Sequence, residues 1–106
     1  MFFPKPIREK APDYLDYIRS LRCLCYGPEC TGDVAPHHAK SVGAGGSDYL
    51  TIPLCARHHA EAHQSGLSSL EYRHHFDRQT AIIRFLIGYI QRALRPAEGS
   101  RNLLPH

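Results

Sequence analysis

One stretch constrains this chain more than any other. Cys55-Ala56-Arg57-His58-His59-Ala60-Glu61-Ala62-His63 sets four metal-ligand side chains within nine residues. A helix turns about 100° per residue, so Cys55 and His58 (i, i+3) stand about 60° apart on its surface and His59 and His63 (i, i+4) about 40° apart. The two pairs occupy adjoining stripes, so one helix can serve two separate metals. A helix that merely happens to be His-rich is a poor account of these spacings. The 106-residue chain holds eight His and four Cys, and most of them fall between residues 23 and 75.

The rest of the composition sets bounds. A chain of 106 residues makes one compact domain, and at this size its hydrophobic core alone gives marginal stability. Charged residues are 22% and hydrophobic residues 42%, which excludes a disordered or membrane-embedded chain. The net charge of +3 is compatible with a polyanionic partner without implying one. Four bunched cysteines are too few for a disulfide scaffold. The start Met1-Phe2-Phe3-Pro4-Lys5-Pro6 is interrupted too early to be an export signal, and no run approaches the ~18 apolar residues of a membrane span. The expectation is a cytoplasmic protein with reduced thiols, in which clustered Cys and His bind metal.

Residues 1–11 read as an extended arm, and Pro12 opens a helix to Leu21 with Tyr14, Leu15, Tyr17, Ile18 and Leu21 on one face. A tight loop over 23–32 precedes an extended segment over 34–42. The glycine-rich turn 43–47 and a second short strand over 49–53 follow. A helix over 54–64 stops at Gly66. Ser68 or Ser69 could cap the next one, with Glu71 near the capping-box position. The helix over 78–94 has an apolar arc wider than one surface helix requires, which suits a central core helix or, in part, a homodimer face. The tail 96–106 should be frayed.

The Cys55/His58 pair needs two more ligands to close a tetrahedral zinc site. Cys25-x4-Cys30, with Gly27-Pro28 turning between them, is the best partner pair; Cys23-x6-Cys30 is the longer alternative, with Cys23 in place of Cys25. Cys23 and Cys25 should not bind together, because one intervening residue strains a shared tetrahedron. Such a zinc would be structural and would contribute on the order of 10 kcal/mol to a small fold. His59 and His63 lack partners on their own helix. The doublet His37-His38 could give one imidazole to a metal and keep the other as a general base. Alternation along a strand sends the two to opposite faces unless Pro36 or the strand end bends the backbone. Three His with open positions would make a catalytic rather than a structural metal site.

Taken together, Pro36-His37-His38, the glycine-rich turn and Leu50-Thr51-Ile52-Pro53-Leu54-Cys55-x2-His58-His59-x3-His63 resemble the HNH, or ββα-metal, nuclease family. The resemblance covers about residues 20–65. It implies an α+β fold: a small ββα-metal core with a zinc knuckle over 23–65, flanked by an N-terminal arm and helix (1–22) and C-terminal helices (67–95). His38 resembles the family's general base. His59 and His63 resemble its helical ligands to a catalytic divalent ion such as Mg²⁺ or Mn²⁺, and His37 matches the position that often supplies a further ligand. Where the family commonly has Asn this chain has Leu50. Asp48 matches a subset with an acidic residue two positions earlier, where it could orient His38 or simply cap the turn.

The function implied is a metal-dependent endonuclease acting on DNA, of bacterial or phage origin. The alternative is a zinc-stabilised nucleic-acid-binding module with a degenerate, inactive site. No recognition motif is present, so contacts to the DNA backbone with little sequence choice are expected. Lys40 and Arg57 lead the candidates for them, with Arg73, Arg78, Arg84, Arg92 and Arg95 behind. His74-His75 reads as a structural or surface doublet.

Overall fold

In the computed structural model, residues 8–40 and 42–95 are described. They form a small α+β fold of four helices and a two-stranded antiparallel sheet. In chain order these are α1 (Pro12–Arg19), β1 (Ala35–His38), a 3₁₀ turn (Val42–Ala44), β2 (Thr51–Leu54), α2 (Ala56–Ser65), α3 (Leu67–His74) and α4 (Arg78–Leu94). None of these described helices is long and apolar enough to cross a membrane. The 96–106 tail and the first seven residues of the arm lie outside the described residues.

The strands pair in the register Ala35↔Leu54, Pro36↔Pro53, His37↔Ile52 and His38↔Thr51. Both are shorter than the sequence pattern suggests, and their prolines face each other at Pro36↔Pro53, inside the ladder at a pair that exchanges no ladder hydrogen bond. All four residues of β2 are buried. Ile52 and Leu54 join Ala62 of α2, Leu67 and Leu70 of α3, and Ala81 and Ile82 of α4 in the main core. A second cluster, Ala11, Tyr14 and Ile18, shares Phe85 and Leu86 with the first, so α4 bridges the two. Gly88 makes that approach feasible: a Cβ there would sit 2.5 Å from the Tyr17 hydroxyl.

Several boundaries differ from expectation. α1 ends at Arg19 with Ser20 as its C-cap, leaving Leu21 beyond the helix. α2 stops where glycine permits it, at Gly66 with φ +87°. That same Gly66 is the N-cap of α3, with no side-chain cap, so neither Ser68 nor Ser69 serves there. Glu71, freed from a capping box, instead accepts the Arg78 amide at 2.7 Å.

The wide apolar arc of α4 divides in two. Ala81, Ile82, Phe85 and Leu86 face the core, whereas Ile83, Ile87, Ile90 and Leu94 are 55%, 48%, 53% and 79% exposed along one stripe. If two copies pair through α4, it is by this stripe. Ile87→Glu should then halve the sedimentation mass with the far-UV circular dichroism unchanged, and remove the concentration dependence of the melting temperature. A monomeric parent, or an unaltered dimer, would remove the pairing.

Candidate metal centres

The loop 23–32 folds through two successive tight turns, Tyr26 N donating to Cys23 O and Cys30 N to Gly27 O, each at 3.0 Å. Leu24 N donates to Pro53 O at 2.8 Å and pins the start of the loop beside the end of β2. Cys23 and Cys30 thereby reach Cys55, the N-cap of α2, and His58 one turn on. The four ligand atoms lie within 4.8 Å of one another and could hold a metal ion. With Zn–S about 2.3 Å and Zn–N about 2.0–2.1 Å, the S···N edge of a tetrahedron is about 3.6 Å. His58 Nδ1 stands 3.5 Å from Cys23 Sγ, 3.6 Å from Cys30 Sγ and 3.1 Å from Cys55 Sγ. No disulfide competes for these sulfurs. The group fits a closed zinc site of three cysteines and one histidine.

Cys25 is therefore not in the cluster, and Cys23 takes its place. The two turns carry residue 23 past residue 25 toward Cys30, a long-range outcome that ligand spacing does not encode. Cys25 is buried beside the cluster. Its carbonyl accepts from Cys30 Sγ at 3.8 Å. Proximity to the Cys25 side chain, together with the Cys55 and Cys25 backbone and His58, holds the Cys23 thiol below the usual range against burial, which pushes it up. The Cys25 thiol itself is raised by the same contact and by burial. One sulfur of this close pair is thereby disposed to be the thiolate that metals bind, and the geometry makes it Cys23.

The other stripe of α2 meets β1. His59 Nε2 and His63 Nε2 are 2.9 Å apart, and His37, His59 and His63 form a second group whose ligand atoms lie within 4.8 Å. Two imidazole nitrogens bound to one ion at about 2.1 Å would lie about 3.0 Å apart at right angles. Burial, then repulsion from His59 and His63, pushes the His37 imidazole down to about 4. His59 is lowered by burial and by His63. These two rings are neutral at pH 7, as ligands must be. Among the described residues, His37 Nδ1 and His59 Nδ1 are buried without a hydrogen-bond partner. The residues fit a three-His divalent site.

Strand alternation holds at the doublet. His37 packs its ring against His59 and His63, with centroids 4.9 and 5.0 Å away, while His38 turns to the following loop. There His38 Nε2 meets Asp48 Oδ1 at 2.8 Å. Both residues nevertheless line one cavity of about 520 Å³, with His59, His63 and Arg78 on its other walls. Asp48 is buried, and burial alone would raise its carboxyl. Hydrogen bonds from His38, from Ala11 N at 2.9 Å and from Arg8 Nη1 at 2.6 Å outweigh that and hold it at about 2. An ionised Asp48 fixes the proton of His38 on Nε2 and leaves Nδ1 as an acceptor.

Other placements are less central. Lys40 and Arg57 are exposed and line no part of the cavity; Arg57 lies 3.6 Å from Glu29. His74 faces the back of His58, with ring centroids 4.9 Å apart, and its Nε2 is 3.4 Å from Glu61. It is a supporting neighbour of the cysteine-rich group. The sequence pattern held no sign of Arg8, because nothing local links residue 8 to residue 48. The described end of the arm is a strap: Glu9 O accepts Asp48 N at 3.0 Å as well.

Comparison with known proteins matched no curated protein and no solved structure. The family described as "Protein of unknown function (DUF968)" matches residues 1–94, and the chain belongs to it.

Proposed function

We propose that this protein is an HNH-type, metal-dependent endonuclease that hydrolyses DNA phosphodiester bonds. The observation that carries the reading is the conjunction in one cavity of His38, oriented by a buried carboxylate, with the three-His group. His38 Nδ1 takes the proton of a water whose oxygen forms a bond to phosphorus as the P–O3′ bond breaks. Asp48 keeps the ring in that tautomer and stabilises the imidazolium that results. A divalent ion held by His37, His59 and His63 would supply Lewis-acid stabilisation of the phosphoryl and leaving oxygens. A zinc on Cys23, Cys30, Cys55 and His58 fastens the 23–32 loop to α2 and so holds the helix that carries two of the three ligands.

Nicking of supercoiled plasmid with Mg²⁺ or Mn²⁺ tests this. His38→Ala should lose activity by about 10²- to 10⁴-fold while its circular dichroism and bound zinc are unchanged. Equal activity, or equal inertness, in parent and variant would refute the catalytic reading. Metal-independent gel shift without cleavage would identify a binding module instead.

A further inference from the structure

The cavity has a wall that lies outside the β1–β2–α2 unit. Arg78, the first residue of α4, lines it beside the three-His group. Its Nη2 donates to Ser68 Oγ and to Glu71 Oε1, each at 2.8 Å, so α3 holds the guanidinium in place. A guanidinium carries five N–H donors. Nη2 uses its two, and among the described residues no hydrogen bond takes those on Nε and Nη1. The end of α4 is not itself the donor, because Glu71 and Asp77 already accept the amides of Arg78 and Thr80.

The charge balance of the cavity points the same way. Among the described residues, no acidic side chain lines it. Three imidazoles are a neutral ligand set, so a divalent ion there would keep its whole charge, and Arg78 brings another cation to the same walls. Such a space suits an anion with several oxygens to share between a metal and a planar fork.

We infer that Arg78 is a phosphate clamp, its guanidinium donating to a non-bridging oxygen of the phosphodiester that is cut. The inference rests on the nuclease reading for its substrate and on the cavity for its chemistry. Attack by water adds negative charge to those oxygens, so the clamp tightens toward the transition state and acts mainly on kcat.

The test uses the full chain loaded with zinc and Mn²⁺, with inorganic phosphate as the binding probe and plasmid nicking as the activity. Arg78→Gln should weaken phosphate binding and lower kcat on the order of 100-fold, with KM changing less and Mn²⁺ affinity unchanged. Arg78→Lys keeps the charge beside Glu71 but loses the fork, and should recover part of the binding in a protein as stable as the parent. If the parent binds no phosphate when Mn²⁺-loaded, or if both variants bind and cleave like it, Arg78 is no clamp. A parent that nicks no DNA yet loses phosphate binding in Arg78→Gln would uphold the clamp and overturn the nuclease.

Discussion

Cys23→Ser should leave this protein unable to hold zinc and unfold it, whereas Cys25→Ser should still take up one zinc per chain. The contrast follows from geometry, since Cys23 belongs to the four-residue group and Cys25 does not. A structural zinc contributes on the order of 10 kcal/mol, about the whole net stability of a domain this size. Its core is divided into two small clusters bridged by α4. Losing a ligand should therefore cost the fold itself. At Cys25 the change alters only a buried neighbour of the group and keeps a hydrogen-bond donor there, so metal affinity should fall by no more than about 10-fold. Metal content after dialysis and thermal unfolding by circular dichroism measure both. A zinc-free Cys25→Ser alongside a zinc-loaded Cys23→Ser would reverse the assignment.

On the mechanism proposed above, Asp48→Asn should lower nicking without abolishing it and should leave both metal-ligand groups intact. Oδ1 of Asp48 accepts from both His38 Nε2 and Arg8 Nη1, and Oδ2 accepts from Ala11 N. An asparagine must turn its NH₂ toward one of these sets of donors. Facing Ala11 N it meets one donor rather than two, so the carbonyl oxygen stays on His38 Nε2 and Arg8 Nη1 and what is lost is the negative charge that stabilises the imidazolium. A loss of about 10- to 100-fold is expected from the missing charge.

The same carboxylate ties the arm to the loop, so acid should loosen the fold. The folded value near 2 lies below the ordinary 3.8. The stabilisation, about 2 kcal/mol, is thus complete above pH ~4 and is lost as pH falls through ~2. Urea unfolding between pH 5 and 2 should show this loss in the parent and a smaller one in Asp48→Asn. An equal acid loss in both would place the effect elsewhere.

Local spacing carried a good part of this molecule. Cys55 with His58, and His59 with His63, are set by the period of a single helix, and α2 presents them on adjoining stripes because no distant contact can alter that period. His37 and His38 diverge for the equally local reason that strand side chains alternate. Gly66 marked the end of α2, since a positive φ is cheap only there. Whether Asp48 oriented His38 or capped its own turn was open from the residues alone, and the carboxylate's 2.8 Å contact with the ring favours the first role.

What local pattern could not decide were choices between near-equivalent residues and pairings across long loops. Cys23 and Cys25 are chemically identical and two residues apart, and only the Leu24–Pro53 hydrogen bond and the two turns bring one of them to Cys55. Arg8 reaches Asp48 across forty residues. Arg78 reaches the cavity only because Glu71, freed by a glycine cap, holds it from α3. Helix and strand periods are properties of neighbouring residues, so the metal-ligand pairs were readable before folding. Which sulfur closes the first group, and which cations flank the second, depend on how separate elements dock, and that is decided by packing.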